Sequence, residues 1–143
     1  MKHRVKSSAR LEQIFVFGFL VWALQMPSFA QTLGVSVPAA THGWTGGLNF
    51  HAEETKDRLE NQYPELKIVL VTASNASEQA NDLEDLLTIH QIDALVILPF
   101  ESAALTGPVR NVERSGVFVT VVDRGLTDPS IHDFYVAGNN SEM

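Results

Sequence analysis

Cysteine is absent from all 143 residues. Disulfides, thiolate metal sites and a lipid-modified amino-terminal cysteine are therefore excluded. Low-complexity stretches and linkers are missing too, and the only internal repetition is a strand-helix unit. Bases are scarce over most of the chain. Four of the ten, Lys2, Arg4, Lys6 and Arg10, precede residue 31, together with one of the seventeen acids, Glu12. Residues 31–143 thus hold six bases against sixteen acids, a net charge of −10. A surface of that sign repels phosphate backbones, so nucleic acid is not expected as a partner.

Several chemical fingerprints are lacking as well. After the first strand, Gly43, Gly46 and Gly47 do not have the Gly-x-Gly-x-x-Gly spacing of a dinucleotide turn, and no lysine of a phosphate-binding loop stands there. There is no Gly-x-Ser-x-Gly elbow. The histidines, His3, His42, His51, His90 and His132, show no metal-ligand spacing; they read as surface or loop residues, with His42 the one that borders a candidate site. No catalytic residue, metal or cofactor is expected.

What is present begins with a leader. The four bases run into an uncharged stretch, Ile14–Met26, followed by Pro27-Ser28-Phe29-Ala30. That is the layout of a secretory signal peptide with a small residue at the cleavage point, so residues 1–30 are expected to be removed and the mature chain to start at Gln31. The run is shorter than the roughly 20 apolar residues of a spanning helix. The expected location is the periplasm, with the mature protein soluble and monomeric.

The 45% hydrophobic content suits one globular domain. Leu33–Val37, Lys67–Thr72, Leu95–Leu98, Val117–Val122 and a shorter run at Phe134–Val136 read as strands. Between the first two, Leu48, Ala52, Thr55 and Leu59 fall on one helical face. Ser77 to about His90 offers a second helix with Ala80, Leu83 and Leu87 inward, capped by Ser74, Asn75 or Ser77. Pro108 is placed as the first residue of a third, with Val109 and Val112 inward and Gly116 just past its end. Strands that are apolar throughout and alternate with helices predict an α/β fold: a doubly wound parallel sheet, Rossmann-like, covered on both faces. Ligands of such sheets bind at the carboxyl ends of the strands.

The strand-end loops carry the candidate chemistry. Thr41, His42 and Trp44 follow the first strand. An indole face suits the C–H face of a sugar ring, although Trp44 in isolation has an equal claim to simple packing under the helix. Glu101 follows the third strand, where it is an acid or base by type or a negative charge at the start of a helix. Asp123 and Arg124 follow the fourth: a carboxylate accepts from two hydroxyls while a guanidinium donates a planar fork, which together match both halves of a polyol's hydrogen bonding. An ordinary ion pair or a helix cap is the plainer alternative. Asn139 lies in the last loop, which is equally readable as a turn. Asp128-Pro129-Ser130 reads as a surface turn.

In this order, Gly34-Val-Ser-Val-Pro38 with its Trp44 loop, Asp93-Ala-Leu-Val-Ile-Leu-Pro99, Val121-Val-Asp-Arg-Gly125 and Ala137-Gly-Asn-Asn-Ser141 resemble the N-terminal lobe of type I periplasmic binding proteins. The likeness is to the ribose-binding-like branch that serves sugar ABC importers, and it runs over Leu33–Met143. It implies two α/β lobes closing on a sugar, of which residues 31–143 supply one incomplete lobe. Asp123 and Arg124 match the pair that grips sugar hydroxyls, Trp44 falls in the loop carrying a stacking aromatic, and Asn139 matches a strand-end polar contact. Thr41, His42 and Glu101 complete the expected ligand set. Some relatives place Asn where this chain has Leu98, which leaves the sugar open between pentose, hexose and polyol.

The implied partner is an ABC permease in the inner membrane. A second reading is a sensory protein docking on a chemoreceptor or sensor kinase, and a third, from another class, is an exported α/β enzyme. Sugar-responsive repressors share the fold, but here a signal peptide stands where their helix-turn-helix would.

Overall fold

The structure, a computed structural model, describes residues 31–40 and 43–138. Strands β1 (Gln31–Pro38), β2 (Leu66–Ala73), β3 (Ala94–Ile97), β4 (Phe118–Val122) and β5 (Phe134–Val136) alternate with helices α1 (Gly43–Gln62), α2 (Ala76–Thr88) and α3 (Ser102–Arg114), and a 3-10 turn at Pro129–Ile131 precedes β5. All strand pairs are parallel, in the order β2-β1-β3-β4-β5. This is the parallel α/β sheet that the alternating pattern predicts.

From β1 the chain steps outward to β2, then recrosses β1 to reach β3 and continues to β4. Parallel crossovers keep one hand, so helices that travel in opposite directions lie on opposite faces. α1 packs on β2 on one face; α2 and α3 pack on the other and against each other. The reversal leaves a crevice between the carboxyl ends of β1 and β3.

The better-packed face holds the core. Leu83 and Leu86 of α2, Leu105, Val109 and Val112 of α3, and Leu95, Ile97, Val119 and Val121 of the sheet are all within about one per cent of complete burial. Each contributes on the order of 1.5–3 kcal/mol by leaving water. On the opposite face Leu48, Ala52 and Leu59 lie over Leu33, Val35, Ile68 and Leu70, yet the one buried residue of α1 is Thr45. Past α1, Phe118 is 46% exposed and Phe134 61% exposed, their rings 5.8 Å apart. The expected cover on both faces therefore holds over β1 and β2, while over β4 and β5 one face is bare among the described residues.

Local signals explain the element ends. Asn75 caps α2, accepting from the Glu78 amide at 2.9 Å, and the Glu78 carboxylate returns to the Ser74 amide at 2.7 Å, a reciprocal arrangement of the capping-box kind. Gly116, with φ +85°, follows α3 in the left-handed conformation that ends helices. Asp93 pins β3 to β1 by accepting from the Thr32 amide at 2.8 Å, and Asp133 pins β5 to β4 by accepting from the Val119 amide at 2.8 Å.

Two expectations are corrected. Pro108 does not open α3 but lies inside it, since the helix starts at Ser102. A proline there costs about 3 kcal/mol; burial of Leu105, Thr106, Val109 and Val112 along one stripe spanning the proline offsets it. The buried stripe of α2 is Gln79, Leu83 and Leu86, with Ala80 and Leu87 only flanking it, because the helix sits rotated to turn a glutamine inward.

Candidate functional site

The carboxyl ends of β1, β3, β4 and β5 share one edge of the sheet, with Ser36 level with Ile97, Ile97 with Val121, and Val122 with Val136. Four of the seven candidate residues are described there. Thr41, His42 and Asn139, like the leader 1–30, lie outside the described residues.

Trp44 stands in the first turn of α1, next to the end of β1, and is 56% exposed. Its ring is not tucked under the helix. Asn49, one turn and a half further on, donates from Nδ2 to the Pro38 carbonyl at 3.2 Å and ties α1 to the end of β1. Glu101 is the N-cap residue of α3 with an extended backbone, but its side chain makes no capping bond.

Asp123 and Arg124 lie at the end of β4, and neither is in an ion pair among the described residues, where the pairs are His51–Glu54, Lys56–Glu60 and Arg110–Asp128. Asp123 has φ +59°, a left-handed conformation that aspartate tolerates better than most residues but that still stores strain. Three bonds hold it: the Asp123 amide donates to the Val136 carbonyl at 2.7 Å, the Arg124 amide to the Val122 carbonyl at 2.7 Å, and the Tyr135 hydroxyl to the Asp123 carbonyl at 2.7 Å. The turn therefore carries a carboxylate and a guanidinium, neither in an ion pair among the described residues, on a fixed backbone. The Arg124 Nη1 also donates to the Phe100 carbonyl, with the Pro99 carbonyl at 3.5 Å. One nitrogen of the fork is thus anchored on the β3 loop, leaving Nε and Nη2 as donors.

Three contributors were missed in the sequence. Gln79 is fully buried and bonds Ser36, Leu98 and Phe100, and Tyr135 supports Asp123. Ser36 and Gln79 carried a faint signal, being polar residues at positions whose neighbours one strand step or one helical turn away are apolar.

Away from this edge, Asp128 caps the 3-10 turn and binds Arg110 at 2.7 Å. Bonds from the Ser130 hydroxyl and amide, then Arg110, hold its carboxyl down at about 2. It is structural.

No family model matches the chain. It is 30% identical over 110 residues to the ribose import binding protein of Bacillus subtilis (strain 168), an alignment covering 76% of this chain and 34% of that protein. It is 30% identical over 77 residues to the D-xylose-binding periplasmic protein of Escherichia coli (strain K12), covering 52% and 23%. The chain thus spans about a third or less of the length of these curated relatives. Among solved structures, the fructose binding periplasmic domain of a hybrid two component system superposes with TM-score 0.66 at 23% identity, covering 78% of this chain and 35% of that one. The periplasmic ribose ABC transporter protein of Conexibacter woesei gives 0.65 at 16% identity, covering 80% and 37%. The myo-inositol binding protein of Caulobacter gives 0.64 at 21%, covering 78% and 36%.

Proposed function

The chain is a ribose-binding-like lobe of the type I periplasmic binding protein family, and from that premise we propose that it belongs to a receptor that captures a pentose, hexose or polyol in the periplasm and delivers it to an ABC permease. In this reading residues 31–143 are the N-terminal lobe, released from the leader after Ala30. The observation that carries it is the turn at the end of β4. Asp123 is held left-handed by β5, and Arg124 is anchored on the β3 loop, so an acceptor and a donor stand preorganised at the edge where such sheets bind ligands. Trp44 supplies the apolar face, Asp123 accepts from hydroxyls, and Arg124 donates through Nε and Nη2. Glu101 stands at the same edge, and Thr41, His42 and Asn139 complete the proposed ligand set.

The test is calorimetry or tryptophan fluorescence of the complete receptor with a panel of pentoses, hexoses and polyols. Saturable binding without turnover supports the receptor; turnover of any sugar points to an enzyme instead. Intact-mass measurement of the exported product should give a chain beginning at Gln31, and a membrane-bound species retaining Met1 refutes the cleaved leader.

A sensory role is a second reading, favoured by the likeness to the fructose binding domain of a hybrid two component system. Loss of labelled-sugar uptake on deletion supports delivery to a permease. Unchanged uptake with loss of a sugar-dependent response supports the sensor.

A further inference from the structure

Gln79 makes three hydrogen bonds from a completely buried side chain, at a place where a glutamine is costly. It is completely buried in the first turns of α2, and an amide in such surroundings is destabilising unless its donors and acceptor are satisfied. Here they are. Nε2 donates to Ser36 Oγ at 3.1 Å and to the Leu98 carbonyl at 2.9 Å, and Oε1 accepts from the Phe100 amide at 2.6 Å. Ser36, also completely buried, comes from near the carboxyl end of β1. One side chain thus joins α2, β1 and the loop leaving β3.

That loop, Leu98-Pro99-Phe100, has only two amide hydrogens, because proline has none. The Leu98 amide donates to the Ser36 carbonyl at 3.0 Å, and the Phe100 amide donates to Gln79. Gln79 therefore holds the one amide that β1 does not. The carbonyl of the same residue, Phe100, accepts from Arg124 Nη1, so Phe100 is held through its amide and holds the guanidinium through its carbonyl.

We infer that Gln79 is a positioning residue of the ligand site, acting through the Phe100 backbone to preset the guanidinium of Arg124. This rests on the sugar-binding reading above. Without the Gln79 acceptor the Phe100 amide is orphaned, its carbonyl shifts, and Arg124 regains rotamers that a bound ligand must then freeze. Freezing one such side chain reduces affinity by about 3- to 10-fold.

The experiment is a double-mutant cycle in the complete receptor, read by calorimetry with D-ribose, D-xylose, D-fructose and myo-inositol as probes. Gln79→Met should weaken binding of the preferred probe about 3- to 10-fold in the wild-type background and by less than about 2-fold in Arg124→Ala, since the residue it acts through is gone. A merely structural role lowers affinity by the same factor in both backgrounds, and that result overturns the inference, as does undiminished affinity of a folded Gln79→Met. Where the methionine variant does not fold, Gln79→Asn replaces it in the same cycle; one methylene shorter, it cannot bridge Ser36, Leu98 and the Phe100 amide together, so the same coupling is expected. If Arg124→Ala binds every probe as wild type does, or wild type binds none, the sugar-site reading itself fails and this inference falls with it.

Discussion

Gly34 sits in the middle of β1, level with Val69 on one side and Leu95 on the other, where the sheet leaves no room for a methyl group. A β-carbon built there lies 2.9 Å from Ile92 Cδ1, 3.2 Å from Ile92 Cγ2 and 3.3 Å from Leu86 Cδ1. Alanine at this position restricts the unfolded backbone, which favours folding by about 0.5–1 kcal/mol. The contacts oppose that gain, because overpacking a dense core destabilises by about 1–3 kcal/mol and both neighbours are buried. Gly34→Ala should therefore be less stable by about 0.5–2 kcal/mol. The tightest contact is to one atom, Ile92 Cδ1, which Ile92→Val removes. That change alone should destabilise by about 0.5–1.5 kcal/mol. Combined, the new methyl occupies the space vacated, and the double variant should be no less stable than Gly34→Ala alone, a coupling of about 1 kcal/mol. Urea unfolding followed by circular dichroism, with the slopes compared to exclude a changed unfolded state, measures all four proteins. The reasoning is refuted if Gly34→Ala is more stable than wild type, or if the two changes add to within about 0.5 kcal/mol.

In the complete receptor Asp123→Ala should weaken sugar binding by about 2–3 kcal/mol, roughly 30- to 150-fold. Asp123→Asn should weaken it less, since asparagine keeps one acceptor oxygen and tolerates the left-handed φ, and Asp128→Ala should leave affinity nearly unchanged; a tighter dependence on Asp128 than on Asp123 sinks the assignment. Tyr135→Phe, which removes one hydroxyl from a half-exposed ring, should cut affinity several-fold, on the roughly 1 kcal/mol scale of a neutral hydrogen bond, with an unfolding midpoint close to wild type. Leu105→Ala, at a completely buried position, should destabilise the fold by about 2–5 kcal/mol in chemical denaturation. The Asp128 carboxyl should titrate at about 2 by NMR. Because its value is depressed in the folded chain, the stability it contributes is complete above the ordinary aspartate range near 3.9 and is lost as pH falls from about 4 to about 2. Ser130→Ala and Arg110→Ala should each raise the midpoint, since each removes a bond that holds the carboxylate, the Ser130 hydroxyl being the largest single cause, and a wild-type midpoint near 4 contradicts this.

Strand positions, the parallel α/β class and the strand-end placement of Trp44, Glu101, Asp123 and Arg124 were legible in the sequence alone. Each depends on spacing along the chain: β-branched runs four to eight residues long, apolar residues at helical period, and polar residues immediately after a strand. What the sequence could not supply is which helical stripe faces the sheet, and what meets a side chain once it is there. The inward turn of Gln79 and the passage of α3 through Pro108 were decided by the burial of whole stripes, which outweighs a local propensity of a few kcal/mol. The support of Asp123 by Tyr135 and of Arg124 by Phe100 joins residues 12 and 24 positions apart. Periodicity reports only on neighbours within a turn or two, whereas these bonds exist only because β3, β4 and β5 end at one edge, and that edge is formed only when the chain reverses across β1.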